Sequence, residues 1–251
     1  MYIVRSLKMC TRMLFLEDIM LKSIFNAKYF SKTEIALWCS SVILVIMSFC
    51  IFDRNNCLTL FASLVGVTSL IFNAKGNPIG QFLMIVFSIM YGYISYGFSY
   101  YGEMITYLGM TMPMAVFALA AWLRNPYKGN KAEVKVNTIG KKECGLMCVM
   151  TAAVTVAFYF ILSCFDTPNI IPSTLSVTSS FIAAYLTFRR SQYFGLAYAA
   201  NDIILIVLWV LACITDTRYV SVVVCFAAFL INDLYGFFSW QRMKKRQSDN
   251  S

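Results

Sequence analysis

Eight apolar runs, each close to the length of a bilayer crossing, follow one another with short polar breaks at 36–52, 58–73, 79–98, 105–123, 145–165, 172–188, 194–213 and 219–240. A helix needs about 17–25 mostly apolar residues to cross a hydrocarbon core about 30 Å thick. Inside lipid every backbone donor and acceptor must be satisfied by the segment itself, so runs of this kind are helices. Composition agrees: 59% of the 251 residues are hydrophobic and 13% charged, where soluble domains average roughly 45–50% and 25%. The chain is expected to be an all-α integral membrane protein of about eight transmembrane helices. Ser31 and Glu34 have capping-box spacing just before the first run. Residues 1–34 mix Lys and Arg with Phe, Met and Leu over too short an apolar core to span, and are expected to be cytoplasmic or interfacial. Residues 35–246 are expected to form one transmembrane domain and 247–251 a cytoplasmic tail.

The net charge of +9 is distributed by side rather than clustered on one face. With the N-terminus inside, one side of the membrane receives six cations before the first span, Lys75, six in the loop 124–143, Arg189, Arg190 and four after the last span. The other side receives only Arg54 and Arg218. The positive-inside rule then predicts an inner-membrane, multi-pass protein with both termini cytoplasmic, and no nucleic-acid partner is needed to explain the charge. Two tight turns carry the same signature: Lys75-Gly76-Asn77-Pro78 and, 114 residues later, Arg189-Arg190-Ser191-Gln192. This spacing overlays spans two to four on spans six to eight, a parallel 3+1+3 repeat with one extra N-terminal helix. Bundle one covers 58–123, the connector helix 145–165 and bundle two 172–240. Repeats of this kind place a substrate site between the bundles near the midplane.

Histidine is absent, which excludes His-based triads and zinc sites that need it. No Walker, GxSxG, HExxH or GxGxxG motif occurs, so neither a catalytic site nor a metal or cofactor is expected. Five of the nine cysteines lie inside apolar runs and no CxxC is present, which suits small apolar residues in helices. Polar side chains inside spans are costly and mark helix contacts or a solute path. Asn201 and Asp202 lie in span seven, Asn232, Asp233 and Tyr235 in span eight, and Gln81 just inside span three. Phe194, Tyr198, Asn201 and Asp202 recur at helical spacing along one side, an aromatic and polar stripe able to stack a flat ring and hydrogen-bond hydroxyls. These eight residues are the candidate substrate contacts. The intramembrane carboxylates also leave open structural hydrogen bonding or proton coupling.

Over residues 58–246 the chain resembles the PnuC-type vitamin transporters, best known for nicotinamide riboside. The resemblance rests on Ala74-Lys75-Gly76-Asn77, Tyr91-Gly92-Tyr93, Tyr101-Gly102-Glu103-Met104 with Pro113, Arg189-Arg190, Asn201 with Trp209, and Asn232-Asp233-Leu234-Tyr235-Gly236 with Trp240. It implies a SWEET-like fold, a homotrimer, and facilitated diffusion of the vitamin with trapping by a separate cytoplasmic kinase. Where family members often carry two tryptophans three apart, with an Asn four residues on, this chain has Phe194, Ala197 and Asn201. Thiamine, riboflavin or a deoxynucleoside therefore stand as alternative solutes, and proton-coupled symport as an alternative mechanism.

Overall fold

The computed structural model describes residues 29–54, 56–97, 101–167 and 169–250. The expected helix over the N-terminal stretch lies mostly outside the described residues. Eight helices long and apolar enough to cross a membrane follow in order. They are α1 (Lys32–Phe52), α2 (Cys57–Ala74), α3 (Pro78–Gly97), α4 (Tyr101–Arg124), α5 (Lys141–Cys164), α6 (Ile170–Phe188), α7 (Phe194–Cys213) and α8 (Val220–Asp249). Each apolar run thus becomes one helix, as bilayer physics requires. α4 starts four residues before its run and α8 ends well beyond its own.

Local signals set several ends. Ser31 caps α1, its Oγ accepting from Glu34 N at 3.2 Å while Ser31 N donates to Glu34 Oε2 at 2.7 Å. Asn56 caps α2 through Thr59 N. The α2–α3 and α6–α7 turns share one hydrogen-bond pattern: Asn77 N donates to Phe72 O as Ser191 N does to Leu186 O, and Gly76 N to Asn73 O as Arg190 N does to Thr187 O. Gly76 and Arg190 are both left-handed, with φ of 66° and 58°. Such 6→1 and 5→2 closures end a helix by turning its last N–H groups back on the free carbonyls.

α4 is not regular. Thr106–Thr111 is π-helical, followed by Pro113, which lacks the N–H that a regular helix would donate to Gly109. The loop 124–143 is more ordered than its hydrophilic composition suggests. It contains an antiparallel hairpin, β1 (Pro126–Tyr127) and β2 (Asn130–Val134), turned by Lys128 and Gly129, both at positive φ as a two-residue hairpin loop demands. The loop is pinned to the helix ends by Val134 N to Gly76 O, Asn137 N to Arg190 O, and Gln247, whose Nε2 reaches Val134 O and whose Oε1 accepts from Val136 N. Ion pairs of Lys75 with Glu34, Arg189 with Glu143 and Arg246 with Glu133 also lie at this base-rich end.

Candidate functional site

Six helices, α2, α3, α4, α6, α7 and α8, surround a narrow cavity, to which α1 and α5 contribute nothing. These are the two sets of three helices that the repeat spacing singles out. The arrangement of α7 against α8 depends on Gly195: a Cβ there would lie 2.7 Å from Asp233 O and 2.8 Å from Phe237 N. That close crossing brings Asp202 on α7 beside Asp233 on α8.

The cavity's polar groups are few and specific. Asn201 is buried, and its Oδ1 accepts from Ser179 Oγ at 2.9 Å and Ser180 Oγ at 3.0 Å, both from α6. With both lone pairs of the carbonyl occupied, the amide N–H groups are what Asn201 offers to an occupant. Asp202 and Asp233, 3% and 4% exposed, hold their carboxyl groups side by side. No hydrogen-bond donor reaches Asp202 Oδ2 among the described residues. Glu103, Thr106 and Thr111 from α4, with Ser176 and Ser180 from α6, complete the polar lining, while Phe87, Tyr107, Tyr198, Phe226 and Phe229 supply ring surface. No Lys or Arg among the described residues lines the cavity.

Glu103 also lines a second cavity with Asn169, Ser173, Trp209 and Tyr219, toward the base-poor end of the bundle. There Arg218 hydrogen-bonds Asp216 and holds its carboxyl below the usual carboxylate range. The base-rich end is closed instead. Trp122, Phe194 and Trp240, none more than 2% exposed, pack with ring centroids 4.7 Å (Phe194–Trp240), 5.4 Å (Trp122–Trp240) and 6.4 Å (Trp122–Phe194) apart. Their indoles are anchored to backbone carbonyls, Trp122 Nε1 to Thr187 O and Trp240 Nε1 to Asn73 O.

Of the eight residues singled out in the sequence, Tyr198, Asn201, Asp202 and Asp233 line the cavity. Phe194 belongs to the aromatic plug one turn away. Gln81 is buried between α2 and α3, donating to Asn73 Oδ1 at 2.8 Å. Asn232 ties α8 to α1 through Ser41 Oγ at 2.9 Å, and Tyr235 donates to Glu34 Oε1 at 3.1 Å. Glu103 was the residue most easily overlooked. An apolar run beginning at 105 leaves it in a loop, whereas α4 begins at Tyr101 and carries it into the bundle.

The family model described as "Nicotinamide mononucleotide transporter" matches residues 56–242, all six cavity-forming helices included. The chain belongs to that family. Within it, the nicotinamide riboside transporter PnuC of Neisseria mucosa is 25% identical over 205 residues, covering 79% of this chain and 77% of that one. The protein of the same description from Haemophilus influenzae is 23% identical over 193 residues, covering 76% and 82%. A crystal structure of the vitamin B3 transporter PnuC superposes with a TM-score of 0.77 at 21% identity, over 90% of this chain and 96% of the other, so the fold is shared. Family membership and eight membrane-crossing helices make the chain a multi-pass membrane transporter of a small molecule rather than an enzyme.

Proposed function

We propose that the chain carries nicotinamide riboside across the inner membrane by facilitated diffusion, through the cavity between its two bundles, with both termini cytoplasmic. The relatives named above are nicotinamide riboside transporters, whereas the family description names the mononucleotide. One observation favours the riboside: among the described residues the cavity contains Glu103, Asp202 and Asp233 and no Lys or Arg. A phosphate of about −1.5 to −2 charges brought beside this acidic lining meets repulsion, with no cation among the described residues there to offset it. The same repulsion makes phosphorylation by a separate kinase an effective trap on the cytoplasmic side.

Tyr198, Asn201, Asp202 and Asp233 are the proposed contacts, the Asn201 amide donating to an oxygen of the solute and the rings offering stacking faces. A homotrimer is the proposed assembly, following the family resemblance, and light scattering of the purified protein checks it. The function is tested in proteoliposomes holding the full chain, with labelled nicotinamide riboside, nicotinamide mononucleotide, thiamine and riboflavin. Uptake of the riboside to equal concentration on both sides, without a pH or sodium gradient or a membrane potential, is expected. Accumulation above the outside concentration under those conditions would sink the facilitator reading.

A further inference from the structure

Glu103 forms no hydrogen bond and no ion pair among the described residues, although it faces both the central cavity and the one leading to the base-poor end. Asp202 and Asp233 stand together in the lining of the central cavity, and the buried Asp202 Oδ2 has no donor among the described residues. Two carboxyl groups that hydrogen-bond each other hold one proton between them, and the negative charge the pair keeps away from water is relieved by a cation beside it. Among the described residues the protein supplies none: no Lys or Arg lines the space, and the sequence contains no His. What it does supply is ring surface from Phe87, Tyr107 and Phe229, whose faces attract cations further.

The approach to the cavity has the same sign. Arg218 and Arg54 are the cations of the base-poor end, and both are engaged: Arg218 with Asp216, Arg54 with the Cys50 carbonyl. Four acids there, Asp53, Asp166, Asp216 and Glu103, stand against these two bases, and Asp53 shares Arg218 with Asp216, so the end keeps a net negative field that draws a cationic solute inward.

We propose that this cavity selects a permanently cationic nitrogen heteroaromatic ring, with Glu103 at its entrance and the Asp202–Asp233 pair at its base supplying the countercharge. The proposal rests on the riboside reading and deepens it, since the pyridinium ring of nicotinamide riboside carries such a charge. It makes charge, and not only shape or hydroxyl pattern, the property that separates accepted from rejected solutes. Glu103, Asp202 and Asp233 thereby become specificity-determining residues.

The test compares two solutes of nearly identical shape. Full-length protein in liposomes takes up labelled nicotinamide riboside while either unlabelled riboside or its neutral 1,4-dihydro form competes. The dihydro form is expected to compete about 10- to 100-fold more weakly, the scale of one lost hydrogen bond to a charged partner. In Glu103→Gln and Asp202→Asn that preference should shrink toward unity, with the dihydro form losing little. Equal competition by the two forms in the unaltered protein overturns the charge proposal and leaves riboside transport standing. Absence of riboside uptake overturns the transport reading and this one with it. A preference that survives both substitutions also overturns the assignment. Because the first comparison needs no variant, it stands even where a substitution lowers folded yield.

Discussion

Asn201 and Gln81 are both buried amides near the start of corresponding helices, yet their surroundings assign them different work. Asn201 lines the cavity with its carbonyl oxygen taken by Ser179 and Ser180, which leaves its N–H groups for a solute, so Asn201→Ala should leave a solute oxygen unpaired at a cost of about 1–3 kcal/mol, weakening binding roughly 5- to 150-fold. Gln81 has spent its amide on Asn73, so Gln81→Ala should lower the melting temperature and leave affinity nearly unchanged. Parallel measurement of affinity and thermal stability for the two variants checks the pair, and the opposite assignment of effects would remove Asn201 from the site. The turn residues offer a further contrast. Gly76 has φ of 66° and a Cβ would sit 3.1 Å from Met243 Cε, so Gly76→Ala should destabilise by about 1 kcal/mol or more. Arg190 holds the equivalent left-handed position with a side chain, so Arg190→Gly should relieve backbone strain, read as a higher melting temperature. At this scale the sequence showed which residues were costly in lipid, Asp202 and Asp233 among them. It did not show whether a given polar group met the cavity or a neighbouring helix, because Gln81, Asn232 and Tyr235 donate to Asn73, Ser41 and Glu34, which are distant or unremarkable in sequence.

The helices themselves were legible because bilayer thickness fixes their length and lipid forbids any alternative to internal hydrogen bonding. Irregular elements were not. The π-helical stretch of α4 has Pro113 as its only local sign, and the β1–β2 hairpin sits in a loop whose polar residues mask the Lys128-Gly129 turn. Both matter to the site: Thr106 and Tyr107 of the wide turn line the cavity, and Val134 of the hairpin packs beside the aromatic plug. Helix approach is set by single residues. With Asp233 O only 2.7 Å from where a Cβ would stand, Gly195→Ala should push α7 from α8 by main-chain contact that no rotamer can relieve. The expected cost is about 1–3 kcal/mol, as for overpacked cores, together with loss of transport from shifted Asp202 and Asp233. Thermal stability and uptake measured together check it, and normal transport at normal stability would mean that the crossing is looser than this distance implies.

Across the whole molecule, charge is the organising quantity: cations gather at one end, acids line the cavity and its open approach, and an aromatic plug seals the base-rich side. If that end is cytoplasmic, reporters at Lys131 and Asn250 should both label inside and one at Asp216 outside. A carrier of a cationic solute then moves charge along with it, and the membrane potential becomes part of its driving force. One elementary charge crossing 100 mV corresponds to about 2.3 kcal/mol, or roughly a 50-fold concentration ratio at equilibrium. In proteoliposomes clamped near that inside-negative potential by a potassium gradient and valinomycin, nicotinamide riboside should therefore concentrate inside, while at zero potential it should only equalise. The neutral dihydro form should equalise in both conditions. A riboside ratio that stays at unity under the potential would mean that a compensating charge returns with each cycle. Proton exchange at the Asp202–Asp233 pair would then replace simple diffusion of the cation as the mechanism.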